Sequence, residues 1–162
     1  MSKQHTYTVE IRWTGNRGTG TSGYRAYSRD HLITASGEAP IEASSDPAFR
    51  GDSGRYNPEE LLVGSVSACH MLWYLHLCAG AGIVVTDYQD APIGTMIENA
   101  DGSGRFTRIL LRPRVTLSPD ADVNRAAELH ADAHRFCFVA NSVNFPIDCE
   151  PAMIAGPKDG DC

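Results

Sequence analysis

The chain has 162 residues, 42% apolar and 21% charged, and carries a net charge of −6. That length fits one domain able to fold without disulfide staples or a structural metal. The negative balance, with no run of Lys/Arg longer than a pair, argues against a nucleic-acid partner, because phosphate binding needs a basic patch.

The opening MSKQHTYTVE has neither an apolar core nor a small-residue cleavage site, so it does not read as a signal peptide. Five cysteines, at 69, 78, 137, 149 and 162, then read as free thiols in a reducing cytoplasm. Residues 7–14 alternate, with Tyr7, Val9, Ile11 and Trp13 on one side, and predict a half-buried strand. A glycine-rich turn follows over 15–23. Tyr24–Tyr27 and His31–Ala35 read as two further short strands of a meander, and 44–56 reads as loop. The run Gly18 to Gly23 fits a G-x-G-x-x-G fingerprint. It opens no helix and sits in no βαβ unit, so it reads as a turn.

The strongest helix signal begins at Asn57. Asn57 suits the N-cap, Pro58 the first helical position, and Glu60 completes a capping box. The helix is expected to reach Cys78 or Ala79 and to stop at Gly80 or Gly82. Leu61, Leu62, Val66, Leu72, Trp73, Leu75 and Leu77 make it apolar on nearly every face, which predicts a central helix covered all round. One small domain has little material for that cover, which points to a second subunit. The stretch 61–81 also contains His70, His76 and several small polar residues, so it does not read as a membrane span.

Strands are expected over 83–89, 92–98 and 105–117, with a hairpin turn at 99–104 and a bulge or edge at Pro113. Ser118-Pro119 is expected to open a second helix running to about Cys137. A last strand over 143–154 is interrupted by Pro146. The reading is a single domain over 1–155, with a disordered tail at 156–162. Its class is α+β: antiparallel sheets around the central helix, plus a second helix.

The run Asn57-Pro58-Glu59-Glu60-Leu61-Leu62, followed by Ser65 to Ala68 and Cys69, resembles the signature of the OsmC/Ohr peroxidases. His134-Arg135-Phe136-Cys137 is similar to that family's second cysteine segment, with Phe138 where the family commonly has proline. The strand–helix order extends the resemblance over nearly the whole chain. It implies an intertwined homodimer, with Cys69 attacking the peroxide and Cys137 resolving the product. It also implies a supporting Glu and Arg. Glu59 matches the Glu by its place in the motif. Arg50, in the loop before the motif, matches the Arg of one branch. Arg17, in the Thr14-Gly15-Asn16-Arg17 turn, matches that of the other, and Arg50 is the favoured assignment.

Cys69 lies ten residues past Glu59. Ten helical residues rise about 15 Å, so on one continuous helix the two cannot touch. Their cooperation requires a partner helix from a second subunit.

The chemistry needs these residue types. The thiolate attacks an O–O bond, and a nearby guanidinium favours the thiolate. A carboxylate grips the guanidinium fork. The resulting sulfenic acid condenses with the second cysteine. No cofactor and no metal is required. An organic hydroperoxide is the expected substrate, with hydrogen peroxide as a further one and an external dithiol as reductant. Leu72, Trp73, Phe136 and Phe138 suit an alkyl peroxide, or form plain core.

Two alternatives stay open. One is a non-catalytic small-ligand-binding protein on the same dimeric fold. The other is a zinc module built on His130, His134 and Cys137, which share a helical face. His70 and His76 read as core or pocket histidines. Cys78, Cys149 and Cys162 carry no motif.

Overall fold

The computed structural model describes residues 3–157. It divides into two compact units, Met1–Leu61 and Leu62–Cys162. Of the expected tail, residues 158–162 and with them Cys162 lie outside the described residues. Gly156 is described, and its amide donates to the Leu117 carbonyl at 2.8 Å.

In the first unit, β1 (Glu10–Trp13), β2 (His31–Thr34) and β3 (Ile41–Ala43) form an antiparallel meander. β1 is exposed along its whole length, not half-buried, with Ile11 at 60% and Trp13 at 43% exposure. Its alternation is real, but the apolar side faces solvent. Tyr24–Tyr27 is a turn, not a strand. The cause is Arg29. Its guanidinium donates to the carbonyls of Tyr24 and Tyr27 at 3.0 and 2.9 Å and stacks on both rings, which curls the segment around one cation. The glycine-rich segment before it is also a turn. Asn16 Oδ1 accepts from the amides of Gly18 and Gly20.

The loop before the helix is closely knit. A 3-10 turn at Pro47–Phe49 is capped by Asp46, whose carboxylate accepts from the Ala48 amide at 2.7 Å. Arg50 follows with φ of +66°, the sole non-glycine residue at positive φ among those described.

The helix α1 (Pro58–Gly80) begins with the expected capping box. The Asn57 side chain accepts from the Glu60 amide at 2.8 Å, and Glu60 returns the contact to the Asn57 amide at 3.2 Å. Gly82, at φ of +72°, ends the run in a conformation glycine adopts without cost. By length and composition α1 could cross a bilayer. In the single chain it is not covered all round. The stripe Val66, His70, Tyr74 and Cys78 is buried, whereas Leu72 is 63% exposed.

The rest of the second unit is two three-stranded sheets and a second helix. β4 (Val85–Gln89), β7 (Arg114–Leu117) and β9 (Ala152–Ala155) form one sheet in the order β4-β7-β9. β5 (Ile93–Glu98), β6 (Gly104–Leu111) and β8 (Ile147–Cys149) form the other, in the order β5-β6-β8. The α+β class is as expected, and each of these sheets adds one parallel pair to its antiparallel one.

Two expected strands are each divided between the sheets. The run 105–117 breaks at Pro113, which has no amide to offer a ladder, while the Arg112 amide turns aside to Asp90 Oδ1 at 2.8 Å. The run 143–154 breaks at Pro151 as well as Pro146, giving β8 and β9. The second helix, α2 (Val123–Phe136), starts five residues later than Ser118, because Asp122 supplies the cap: its side chain accepts from the Arg125 amide at 2.9 Å. Tyr74, Cys78, Val115, Leu117, Ala126, Leu129 and Ala133 pack α1 and α2 onto the β4-β7-β9 sheet. Val66, Ile109 and Leu111 form a second core under the other sheet.

Candidate active site

The exposed side of α1 in the second unit carries Cys69. Ser65, Ala68, Cys69, Leu72, Trp73 and His76 line an open cleft of about 530 Å³, completed by Phe138 and Val139 from the segment after α2. Trp73 is the centre of its aromatic wall. It stacks on Phe136 at 5.1 Å and meets Phe138 edge-on at 5.6 Å. Phe138 is 71% exposed, so the wall is greasy and open. Phe136 supports Trp73 from behind and lines a neighbouring groove instead.

The structure brings the two expected cysteines together. Cys137 caps the C-terminus of α2 and is fully buried, and its thiol neighbours that of Cys69. Burial, then the Cys69 contact, pushes the Cys137 thiol up. The Ala140 amide approaches the Cys137 sulfur at 3.4 Å and partly offsets this. Cys69 is half-buried. One sulfur therefore faces an apolar cleft and the other stands behind it in the core. Both are free thiols, and Phe138, in the place of a proline, contributes to the cleft wall.

Glu59, Arg50 and Arg17 belong to the first unit. Glu59 is half-buried in the first turn of α1. Arg50 and Arg17 are exposed in loops, Arg50 with its guanidinium 5.8 Å from the Tyr24 ring centroid. Asp30 is a carboxylate the sequence reading passed over. Burial works against its ionisation. Hydrogen bonds from Ser28 and Ser44, with the charges of Arg55 and Arg17, outweigh that and hold it below the usual range.

His130, His134 and Cys137 do not form a zinc site. His134 is exposed, whereas Cys137 is buried beside Cys69. His130 instead meets His70 across the core, with His70 Nε2 and His130 Nδ1 2.9 Å apart. Cys149 Sγ lies 3.8 and 3.9 Å from the same two nitrogens. Burial holds both rings neutral, with His70 lowered to about 4 and His130 to about 3, and pushes the Cys149 thiol up to about 12. Tyr74 stacks on His130 at 3.9 Å. Nothing in the local sequence joins these residues, which come from α1, α2 and β8.

Residues 51–151 match the OsmC-like protein family. The chain belongs to the OsmC-like family. Among relatives of this OsmC-like chain is the uncharacterized protein YmaD of Bacillus subtilis, 26% identical over 156 residues and covering 93% of each chain. An OsmC-like protein of unknown function from Vibrio cholerae superposes with a TM-score of 0.83 at 28% identity, over 91% of this chain and 99% of that one. An organic hydroperoxide resistance protein from Legionella pneumophila shares the fold at a TM-score of 0.66 and 16% identity, over 94% and 99% of the two chains. The organic hydroperoxide resistance protein OhrB of Bacillus subtilis does so at 0.61 and 20%, over 92% and 98%. The OsmC-like fold is thus firm across its length, and the last two likenesses speak to fold alone.

Proposed function

We propose that this OsmC-like chain is a cysteine-based hydroperoxide reductase. The observation that carries the reading is a half-buried thiol, Cys69, at an apolar cleft, with a second thiol, Cys137, next to it in the core. The Cys69 thiolate attacks the distal oxygen of an organic hydroperoxide. The O–O bond breaks, the alkoxide leaves and takes a proton as an alcohol, and Cys69 becomes a sulfenic acid. Cys137 then displaces water from that sulfur and forms the Cys69–Cys137 disulfide. An external dithiol reduces the pair by exchange. Leu72, Trp73 and Phe138 favour an alkyl or aryl peroxide over hydrogen peroxide, since they offer few polar partners to a small polar one. The reaction runs in the cytoplasm, as one domain over 1–155, with no cofactor.

The test is mass spectrometry of reduced protein after one equivalent of cumene hydroperoxide. A Cys69–Cys137 link is expected. Two unchanged thiols, with the peroxide unconsumed, would overturn the reading. The cleft itself favours a second reading, a binding protein for a small apolar ligand with idle thiols, and that same result would move it ahead.

The working unit of this proposal is a homodimer. Leu72 and Phe138, at 63% and 71% exposure beside the reactive thiol, form the kind of apolar patch that a partner covers. Sedimentation at micromolar concentration is expected to give a dimer, and a stable monomer would refute this part.

The proposal also gives Glu59 and one arginine, Arg50 before Arg17, the task of holding Cys69 as thiolate. A neighbouring cation favours the thiolate, so its loss is expected to slow alkylation at neutral pH by about tenfold or more. Arg50→Met is expected to slow iodoacetamide labelling of Cys69 by that factor and Arg17→Met to leave it unchanged. Arg50→Lys is expected to rescue it in part, because the ammonium keeps the charge and loses the fork. The reverse pattern for the two Met variants would transfer the role to Arg17.

A further inference from the structure

We infer that His70, His130 and Cys149 form a binding site for a borderline-soft transition-metal cation of the zinc class, separate from the cleft of Cys69. The three donor atoms come from α1, α2 and β8 and lie within 4.8 Å of one another. Two neutral imidazoles and a thiolate are the ligands such an ion prefers. Zinc–nitrogen and zinc–sulfur bonds of about 2.0–2.1 and 2.3 Å at tetrahedral angles require about 3.3 Å between nitrogens and about 3.6 Å from each nitrogen to sulfur. The triangle here measures 2.9, 3.8 and 3.9 Å. Each edge is within a few tenths of an ångström of that figure.

A plain hydrogen bond between two histidines accounts for one edge. It does not account for a sulfur placed almost equally far from both bonded nitrogens. The ring nitrogens on the far side, His70 Nδ1 and His130 Nε2, have no partner among the described residues and stand outside the triangle. His70 and His130 are 1% and 4% exposed. Cys149 is only half-buried and supplies the side from which an ion enters. Three protein ligands leave a fourth position open there. The ion would clamp two helices and a strand that otherwise meet through packing and the His70–His130 contact.

Cys69 and Cys137 take no part, so this inference is independent of the peroxidase reading, and one set of variants separates the two. The reduced full chain is stripped with a chelator and titrated with Zn2+ against a competing chromophoric chelator, and with Co2+ by absorbance. One equivalent per chain is expected, with a near-ultraviolet sulfur-to-cobalt charge-transfer band. The double variant Cys69→Ser/Cys137→Ser is expected to keep both. Cys149→Ser, nearly isosteric, is expected to lose the band and to weaken zinc by at least the roughly 10–100-fold that loss of an outer-shell partner brings. His130→Gln is expected to weaken zinc likewise. Should it fail to fold, Cys149→Ser decides the matter. Failure of the wild type to take up stoichiometric zinc, survival of the band in Cys149→Ser, or its loss in the double variant would each overturn the site.

Discussion

Cys69→Ser is expected to reduce hydroperoxide consumption to that of buffer alone, while Cys137→Ser completes one turnover per chain and stops. A serine hydroxyl stays protonated at neutral pH and is a poor nucleophile towards oxygen, so the first step has no substitute group. Among the described residues the other cysteines do not line the cleft: Cys78 is buried in the core, and Cys149 sits with the histidine pair. Without Cys137 the first step is intact and the sulfenic acid has no thiol beside it. It persists long enough for a dimedone-type trap, and excess peroxide carries it on to sulfinic acid. Peroxide loss by a ferrous–xylenol assay and the mass of the intact chain measure both outcomes. Equal turnover in Cys69→Ser and wild type would end the proposal.

Gly51→Ala is expected to be among the most damaging single changes outside the core. A Cβ at residue 51 would overlap the backbone carbonyl of Ser45, which no side-chain rotation relieves. The carbonyl cannot retreat freely. Asp46 beside it accepts the Gly51 amide at 3.0 Å, and the Ser45 hydroxyl holds the Phe49 carbonyl at 3.2 Å. Arg50 next door already sits at φ of +66°, a conformation costly to a residue with a Cβ. Overpacking against fixed backbone costs about 3 kcal/mol or more, roughly 6–12 °C of melting temperature for a chain this size. The turn at 47–50 would lose its shape, and Arg50 its direction. Thermal melting checks the first consequence; on the proposed role of Arg50, iodoacetamide labelling of Cys69 checks the second. An unchanged melting temperature would show that the loop yields more easily than its hydrogen bonds imply.

Much of the central helix was legible in the sequence, because its start is local chemistry. Asn57 and Glu60 satisfy one another within four residues, and the structure keeps that arrangement. The cysteine pair was legible through the family pattern alone, since no periodicity joins positions 69 and 137. The misread elements share a different cause. Tyr24–Tyr27 looks like a strand until Arg29 gathers its carbonyls. Ser118-Pro119 looks like a helix start until Asp122 offers a better cap. Each was decided by one side chain a few residues away. The His70–His130–Cys149 cluster was illegible for a stronger reason. Its members are 60 and 19 residues apart and meet only when two helices and a strand have packed. Read along its own helix, His130 pointed instead to His134, which is exposed.

The division of two chain segments between two sheets bears on how the second unit comes apart. Residues 104–117 supply both β6 and β7, and residues 147–155 supply both β8 and β9. The parallel pairs β6–β8 and β7–β9 are therefore laid down by the same encounter of two distant segments, with α2 in the intervening loop. The entropy of closing that loop is incurred once and is repaid by two ladders. In the reverse direction, pulling 147–155 away strips an edge strand from each sheet at once and bares both cores. The sheets are accordingly expected to behave as one cooperative element, whose amides exchange with solvent through a single large opening and not sheet by sheet.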